Sequence, residues 1–376
     1  MRYRCLSALA ATALVLLAAD AACAQQEWSF EGDQLLVTNL VGEVTVRGHD
    51  GSRIIVRAEP GGDDGGMISF EVKHNGHAEF HAVYPLEQSL SYSYPYRRGG
   101  RTQIELRNWV SESSFLEDIY SRLSGRDRIE IGGRGDLEAW VDLEILVPRG
   151  VATRVKLAVG ELEAMDVEAD IDLDTHSGPV HAENIRGNTR IDTGSGSVSA
   201  NGIRGDLDVD TGSGSVEVGD VEGSMVRIDT GSGSVEVAGI QGDVVEIDTG
   251  SGRVTVDGAR AQRLEVDTGS GSVRASEIYA ENSLIDTGSG SVTLDLLQLS
   301  TGNHVIDTGS GGVTVNMPED ASVRISADTG SGGIGLDVPA ARLRRLSRDH
   351  IELEIGDARA SLEIDTGSGR IEIRTR

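Results

Sequence analysis

The clearest pattern along the chain is a short run of alternating apolar and polar residues that recurs about every 19 positions. Each run reads as an apolar residue followed by Asp, Thr, Gly, Ser and Gly, with His replacing the first Gly in the first copy. The aspartates are 18, 18, 19, 19, 19, 19, 21, 21 and 37 residues apart, and they are Asp174, Asp192, Asp210, Asp229, Asp248, Asp267, Asp286, Asp307, Asp328 and Asp365. An alternation of two within a repeat of this length predicts stacked strands and excludes helices.

The alternation also predicts which way each side chain points. The residue before every motif aspartate is apolar, so we expect it to point inward, the aspartate outward and the threonine inward. The Gly-Ser-Gly segment predicts a corner, after which a second apolar pair follows, as at Val216 and Val218. The sequence therefore predicts an all-β fold, a parallel β-solenoid of coils of about 19 residues, and one coil without the motif between Asp328 and Asp365.

The N-terminal part of the mature chain departs from the repeat. It predicts a hairpin around Asn75-Gly76, a tyrosine-rich loop over 84–101, and one short helix over 114–125 that begins with a Ser114–Glu117 capping box and covers the end of the solenoid. We divide the chain into a signal peptide (1–24), a decorated N-terminal β region (25–160) and the repeat solenoid (161–376). An arginine-rich stretch, 339–350, interrupts the repeats and is expected to pair with the acidic surface, and a site for an anionic ligand is the alternative.

The first 24 residues have the pattern of a secretory signal peptide. Arg2 and Arg4 precede an apolar run, and Ala22-Cys23-Ala24 is typical of a cleavage site, so we expect cleavage after Ala24. Lipid attachment at Cys23 is the alternative. No later apolar run reaches the length of a membrane span, so we expect no transmembrane segment and an exported protein in the periplasm, on the outer-membrane surface or outside the cell.

Two segments before the repeats carry a family resemblance. Val37-Thr38-Asn39-Leu40-Val41-Gly42-Glu43-Val44-Thr45-Val46 and Leu143-Glu144-Ile145-Leu146-Val147-Pro148-Arg149-Gly150 resemble the opening strand and the Pro-containing segment of the bacterial putative-adhesin family, a domain of unknown function built from β-strand repeats. The resemblance covers most of the mature chain except about 60–135. It implies a parallel β-solenoid exported to the cell envelope, and it implies no catalytic residues.

The charge and the composition of the chain limit the classes of partner that we expect the protein to bind. The formal net charge of -27 disfavours nucleic acid, because binding phosphates requires a basic surface. Aromatic residues make up only 4% of the chain, which suits a core of small aliphatic side chains in repeated layers. We expect a partner among cell-surface or envelope proteins or glycans.

The outward aspartates are the first candidate site. Stacked carboxylates repel one another, and we expect either hydrogen bonds from the following Gly and Ser N–H groups or bound Ca²⁺ to offset the repulsion. The candidate calcium ligands are Asp192, Asp210, Asp229, Asp248, Asp267, Asp286 and Asp307. No other cofactor is expected. An aspartic-protease dyad needs two converging carboxylates, which a linear row does not provide.

A histidine cluster is the second candidate site. His74, His77, Glu79 and His81 flank the predicted hairpin turn and could hold Zn²⁺ or Cu²⁺, with His74 and His77 facing each other. An exposed hairpin without a ligand is the alternative. Arg-Gly-Asp occurs at 134–136 and 204–206, and chance occurrence explains both copies in a chain rich in these residues.

These features predict a non-enzymatic binding or adhesion module that acts through an acidic repeat wall. A periplasmic structural or envelope-stress scaffold is the first alternative. A carbohydrate-active β-helix enzyme is the second, and it would need a local break in the repeat where carboxylate and basic groups converge.

Overall fold

A computed structural model describes residues 25–74, 77–95, 101–110, 114–123, 127–338 and 341–376, and most of them lie in strands. The predicted signal peptide lies outside the described residues.

The elements that precede the regular repeats include two short helices and eleven strands. They are β1 (Gln26–Phe30), β2 (Gln34–Val41), β3 (Val44–His49), β4 (Ile54–Gly61), β5 (Ser69–His74), β6 (Ala78–Val83), β7 (Ser91–Ser93), β8 (Arg101–Glu105), α1 (Leu106–Val110), α2 (Ser114–Ile119), β9 (Arg128–Gly132), β10 (Leu137–Glu138) and β11 (Trp140–Pro148).

The described part of the remaining chain adds 22 strands. They are β12 (Ala152–Val159), β13 (Leu162–Met165), β14 (Ile171–Ser177), β15 (Val180–Glu183), β16 (Thr189–Ser195), β17 (Val198–Arg204), β18 (Leu207–Thr211), β19 (Val216–Glu222), β20 (Met225–Thr230), β21 (Val235–Gln241), β22 (Val244–Thr249), β23 (Val254–Thr268), β24 (Val273–Thr287), β25 (Val292–Leu296), β26 (Asn303–Thr308), β27 (Val313–Met317), β28 (Val323–Thr329), β29 (Ile334–Asp337), β30 (Arg342–Leu346), β31 (His350–Ile355), β32 (Ala360–Thr366) and β33 (Ile371–Thr375).

The repeats stack as a parallel solenoid with two main sides, as predicted. We call the side that carries the motif aspartates the first sheet; it runs through β2, β12, β14, β16, β18, β20 and β22 and then through the second halves of β23 and β24. The second sheet runs through β3, β13, β15, β17, β19 and β21 and then through the first halves of β23 and β24. The long strands β23 and β24 bend from one side to the other.

The interior confirms the predicted orientation of the side chains. The apolar residue before each motif aspartate is buried, as Ile191 and Val209 show, and the pair Val216 and Val218 on the second sheet is buried too. Because strands in a sheet lie about 4.8 Å apart, every coil places its Val and Ile directly against those of its neighbours. The scarcity of aromatic residues follows from this layered core.

Every motif threonine is buried, and those from Thr193 onward link two coils, whereas the Thr175 hydroxyl has no hydrogen-bond partner among the described residues. The Thr287 hydroxyl donates to the carbonyl of Gly271 in the preceding coil at 2.9 Å and accepts the N–H of Gly290 in its own coil at 3.0 Å. Thr308 forms the equivalent pair of bonds with Gly290 and Gly311. A side chain on Gly290 would place its Cβ 1.6 Å from the Gly271 oxygen, so only glycine fits this corner.

The C-terminal coils do not follow sequence order, and the predicted coil without a motif is wrong. Strand β32 inserts between β26 and β28, so Asp365 lies between Asp307 and Asp328. The chain between Asp328 and Asp365 forms instead an antiparallel hairpin, β30–β31, in which β31 pairs with the outer edge of β28. Sequence spacing cannot detect this order, because a strand that returns into the stack has the same pattern as one that extends it.

The N-terminal end is also closed by antiparallel strands. Beside β2, the first sheet continues into β6 and β5, and beside β3 the second sheet continues into β11, β4 and β1. Trp28, Phe70 and Phe80 pack together at this end, with ring centroids 5.0–5.8 Å apart. Aromatic side chains therefore cover the apolar layer that the first coil would expose.

The tyrosine-rich segment is part of the core, which corrects its prediction as a loop. Tyr84, Tyr92 and Tyr94 are buried, and the Tyr84 hydroxyl donates to the Val41 carbonyl at 2.8 Å. Strands β7–β10 form a separate four-stranded sheet. The helix predicted over 114–125 corresponds to α2, which ends at Ile119 rather than near Gly125, and a further short helix, α1, precedes it. The Ser114 side chain of the predicted capping box lies outside the described residues.

The described residues contain no helix that is long and apolar enough to cross a membrane.

The buried threonine bonds generate a stability prediction. Thr287→Val removes both bonds and leaves a buried N–H without a partner, so we expect it to lower the free energy of unfolding by about 2–3 kcal/mol. Thr287→Ser keeps the hydroxyl and loses one methyl group, so we expect a loss of about 1 kcal/mol. Urea unfolding monitored by circular dichroism measures both variants. A Val variant as stable as the Ser variant would show that packing, rather than the hydrogen bonds, sets the stability here.

Candidate functional site

The ten motif aspartates form one continuous column on the outer surface of the first sheet, which we call the aspartate ladder. Neighbouring strands pair aspartate with aspartate in every step, and each side chain points away from the core. Nine strand spacings of about 4.8 Å give the ladder a length of about 43 Å.

A basic side chain stands at each end of the ladder. Lys156 on β12 lies 3.9 Å from Asp174, and its Nζ also donates to the carbonyl of Asn108 at 3.0 Å. At the other end, His350 on β31 contacts Asp328 through Nδ1 at 2.7 Å. The eight carboxylates between these ends form no hydrogen bond or ion pair within the described part of the chain.

The spacing of the ladder raises the cost of ionising its carboxylates. Two unit charges about 4.8 Å apart repel by about 0.9 kcal/mol in water. Burial, followed by the charges of neighbouring carboxylates, raises the pKa of Asp210, Asp248, Asp267 and Asp286. For Asp174 burial is the largest cause, and it raises the pKa to about 6 despite the opposing effect of Lys156.

The predicted turn hydrogen bonds to the aspartates are wrong. The corner N–H groups bond instead to the motif threonine or to backbone, as when Gly271 donates to the Thr268 hydroxyl at 3.0 Å. The first glycine of each motif donates to the threonine carbonyl of the preceding coil, as Gly212 does to Thr193 at 3.1 Å. Since Thr lies inside and Asp outside, only Thr can reach the corner. The aspartates are thus not needed to close the turns.

The calcium interpretation therefore stays a prediction. In the described ranges of the chain, no three His, Cys, Asp or Glu side chains converge on one metal position. A straight column instead presents pairs of adjacent carboxylates, each of which would supply only part of the six to eight oxygens that Ca²⁺ takes.

The histidine cluster is arranged differently from the prediction. His74 pairs with Ala78 rather than facing His77, because the turn is one residue longer, and the His74 side chain lies outside the described residues. Glu79 joins the other two histidines: its Oε1 lies 3.1 Å from His77, and its Oε2 accepts a hydrogen bond from His81 Nε2 at 2.8 Å. His81 is buried, and burial lowers its pKa while Glu79 opposes the change.

This geometry limits metal binding at the cluster. The Thr38 hydroxyl lies 2.9 Å from Nδ1 of His81, so both ring nitrogens already have protein partners. A metal would have to displace one of them, and a transition-metal site here stays a prediction.

The arginine-rich stretch and the Arg-Gly-Asp sequences are built into the fold. On the C-terminal hairpin Arg344 pairs with Glu354 at 2.8 Å, in line with the expected internal charge pairing. Residues 339 and 340 lie outside the described part of the chain.

The Arg-Gly-Asp residues also have partners within the fold. In the copy at 204–206, Arg204 pairs with Glu222, and Asp206 accepts the N–H groups of Ser224 and Met225. In the other copy, Asp136 accepts from the Ser89 hydroxyl at 3.2 Å.

A groove lies beside the aspartate ladder, and it was not among the sites predicted from the sequence. Its cavity volume is about 790 Å³, and one of its sides is the column of residues two positions before the motif aspartates, continued at its N-terminal end by Arg154, two positions before Lys156. These residues are Arg154, Asp172, Arg190, Asp208, Arg227 and Glu246. The alternation that places the aspartates outward places this column outward as well, so the signal was present in the sequence.

The raised pKa of Asp174 generates a prediction about pH. Because the pKa in the folded protein lies above the ordinary 3.8, ionising Asp174 costs stability as the pH rises from about 4 through 6. We expect Asp174→Asn to raise the free energy of unfolding by about 1–3 kcal/mol at pH 8, and the gain to disappear near pH 4. Thermal unfolding of both proteins across this range measures it. A less stable Asn variant at pH 8 would show that the contact with Lys156 outweighs burial.

The effect of Ca²⁺ on the unfolding midpoint tests the calcium prediction directly. If Ca²⁺ bridges the ladder, the unfolding midpoint rises in millimolar CaCl₂ relative to EDTA, because a ligand that binds only the folded state stabilises it. The same concentration of MgCl₂ controls for charge screening, and the double variant Asp248→Asn, Asp267→Asn should reduce the rise. An equal midpoint in EDTA, Mg²⁺ and Ca²⁺ would contradict a calcium ladder.

Comparison with known proteins agrees with the repeat architecture. Residues 204–374 match the family described as Toastrack DUF4097. No curated protein matches the chain. A crystal structure of a putative cell adhesion protein from Clostridium sporogenes is 13% identical, with 94% of this chain and 100% of that chain covered and a TM-score of 0.18. A putative adhesin from Bacteroides fragilis is 9% identical, with 94% and 98% covered and a TM-score of 0.30.

Those TM-scores are too low for either structure to inform the function of this chain. The family match rests instead on the segment that contains the regular coils from β19 onward and most of the aspartate ladder. It confirms the predicted resemblance to a putative-adhesin family of unknown function, and the match to Toastrack DUF4097 covers residues 204–374, less than half of this chain.

Proposed function

We propose that this protein is a non-enzymatic binding or adhesion module of the cell envelope that makes contact through the outer surface of the first sheet. The observation that carries the proposal is the aspartate ladder, in which eight consecutive carboxylates point outward without a hydrogen bond or ion pair within the described residues. Such a column costs electrostatic free energy in the isolated protein. A bound partner that supplies positive charge along it would recover that cost.

The regularity of the ladder supports binding rather than catalysis. A catalytic site needs different groups that converge on one reacting atom, whereas the ladder repeats one group at a constant spacing. Equal sites along about 43 Å suit a partner that is itself repetitive, and many weak contacts can then add up to tight attachment. The predicted partner is a cell-surface or envelope protein or glycan, and the predicted signal peptide places the protein where it would meet one.

Two other functions stay open as alternatives. A periplasmic structural or envelope-stress scaffold would use the same rigid stack without an external partner. A carbohydrate-active enzyme would use the groove of about 790 Å³ beside the ladder, where arginine and carboxylate groups alternate.

Cell binding by charge-matched variants tests the proposal. The double variant Asp248→Asn, Asp267→Asn removes two adjacent ladder charges, and we expect it to reduce binding of the purified, labelled protein to whole cells by about tenfold or more. The reduction should be larger at low ionic strength, since salt screens exposed charges.

The matched control removes the same charge from the opposite side. Glu217→Gln, Glu236→Gln changes two adjacent exposed carboxylates on the second sheet, and binding should stay close to that of the unmodified protein. Equal losses in both variants would mean that net charge alone governs attachment. No binding of the unmodified protein to cells or envelope fractions would favour the scaffold instead.

A further inference from the structure

The groove beside the aspartate ladder crosses six consecutive strands of the first sheet. It extends from β12 to β22, and Gln34 and His77 line its N-terminal end. Five strand spacings of about 4.8 Å give it a length of about 24 Å. Its two sides are columns of outward-pointing side chains. On each strand the residues of the two columns are two positions apart, so the columns are separated by about 6.6 Å. The shape is that of a channel for one extended chain.

One side of the groove is a column of polar residues at the start of the strands. Asp170 accepts the N–H of Asn188 at 2.7 Å, and the Asn188 side-chain oxygen accepts the N–H of Asp206 at 3.1 Å. Asp206 in turn accepts the N–H groups of Ser224 and Met225. Each side chain is therefore held in place by the next coil through one oxygen. The second polar atom of each side chain, a carboxylate oxygen or an amide nitrogen, is left for another partner.

The other side alternates in charge from coil to coil. Arg190 lies between Asp172 and Asp208, and Arg227 lies between Asp208 and Glu246. Arg190 and Arg227 are exposed and form no hydrogen bond or ion pair within the described part of the chain. The coil that carries Asn188 and Arg190 thus offers hydrogen-bond donors to the groove. The coils before and after it offer acceptors, namely Asp170 with Asp172 and Asp206 with Asp208.

We propose that this groove binds a linear, uncharged glycan. Sugar hydroxyl groups both donate and accept, so a chain of sugars can use donor and acceptor coils in turn. Each unit of an extended β-linked polysaccharide advances by close to one strand spacing, which gives the groove room for about five sugars. The floor between the two columns is strand backbone, because the residues between them, such as Ile171 and Leu207, point their side chains into the core.

The charge of the protein selects against the other polymers of similar shape. With a net charge of -27 and acceptor groups on every second coil, a polyanion such as nucleic acid or a uronic-acid polymer meets repulsion along the groove. A polycation would bind the carboxylates but would be opposed by Arg190 and Arg227. The residues of the groove are distinct from the aspartate ladder, so this site goes beyond the adhesive surface proposed above.

Calorimetric titration with defined oligosaccharides tests the proposal. The probes are the hexasaccharides cellohexaose, chitohexaose and xylohexaose, each with its disaccharide. We expect at least one hexasaccharide to bind, and to bind more tightly than its disaccharide because it engages more coils. Arg190→Ala should weaken that binding about tenfold, since it removes a hydrogen bond from a charged group, and Arg227→Ala should act in the same direction.

Two controls keep the test decisive. Arg274→Ala removes an exposed arginine from a strand of the second sheet and should leave binding unchanged. Asp286→Asn, Asp307→Asn, which removes two ladder charges beyond the groove, should also leave it unchanged, so a failure of the adhesive surface and a failure of the groove can be told apart. The proposal is overturned if no hexasaccharide binds at about 1 mM, or if Arg274→Ala weakens binding as much as Arg190→Ala. Release of shorter sugars during the titration would show that the groove is an enzyme site rather than a binding site.

Discussion

The buried hydrogen bonds between the motif threonines and the glycine corners of the neighbouring coils are the constraint on which the rest of the structure depends. The threonine hydroxyl reaches the neighbouring coil only when equivalent residues are stacked directly above one another, and the glycine corner tolerates no side chain there. A shift of one residue would turn every apolar side chain out to solvent. The motif therefore determines the register of the stack as well as the turn.

Exact register has an electrostatic consequence on the outside of the protein. Once the threonines are aligned, the residues before them are aligned too, and the aspartates form a single column of like charges. The fold places Lys156 and His350 at the ends of this column but leaves its middle without partners among the described residues. The same alignment produces the alternating column of the groove, because Arg190 and Asp208 occupy equivalent positions in adjacent coils. Internal stacking thus generates both candidate binding surfaces.

Both ends of the solenoid are covered by additional strands, but the residues that cover them differ. A parallel stack would leave an unpaired strand and an apolar layer at each end. At the N-terminal end, antiparallel strands and the aromatic group of Trp28, Phe70 and Phe80 cover that layer. At the C-terminal end, the hairpin β30–β31 covers β28, and its Glu354 pairs with Arg344 of the hairpin and with Arg324 of β28. The irregular segments of the sequence are the parts that close the stack.

The sequence by itself determined the solenoid, its period, and the inward or outward direction of each motif residue, because these depend only on alternation and repeat length. The alternation in the sequence also predicts the aspartate ladder. The same alternation indicates the column of arginine and carboxylate residues in the groove, although that column was not predicted. Only the tertiary structure decided that β32 inserts before β28, that Tyr84 and Tyr92 are buried, and that Glu79 joins His77 to His81. Those features depend on contacts between segments far apart in the chain, which a local pattern does not encode.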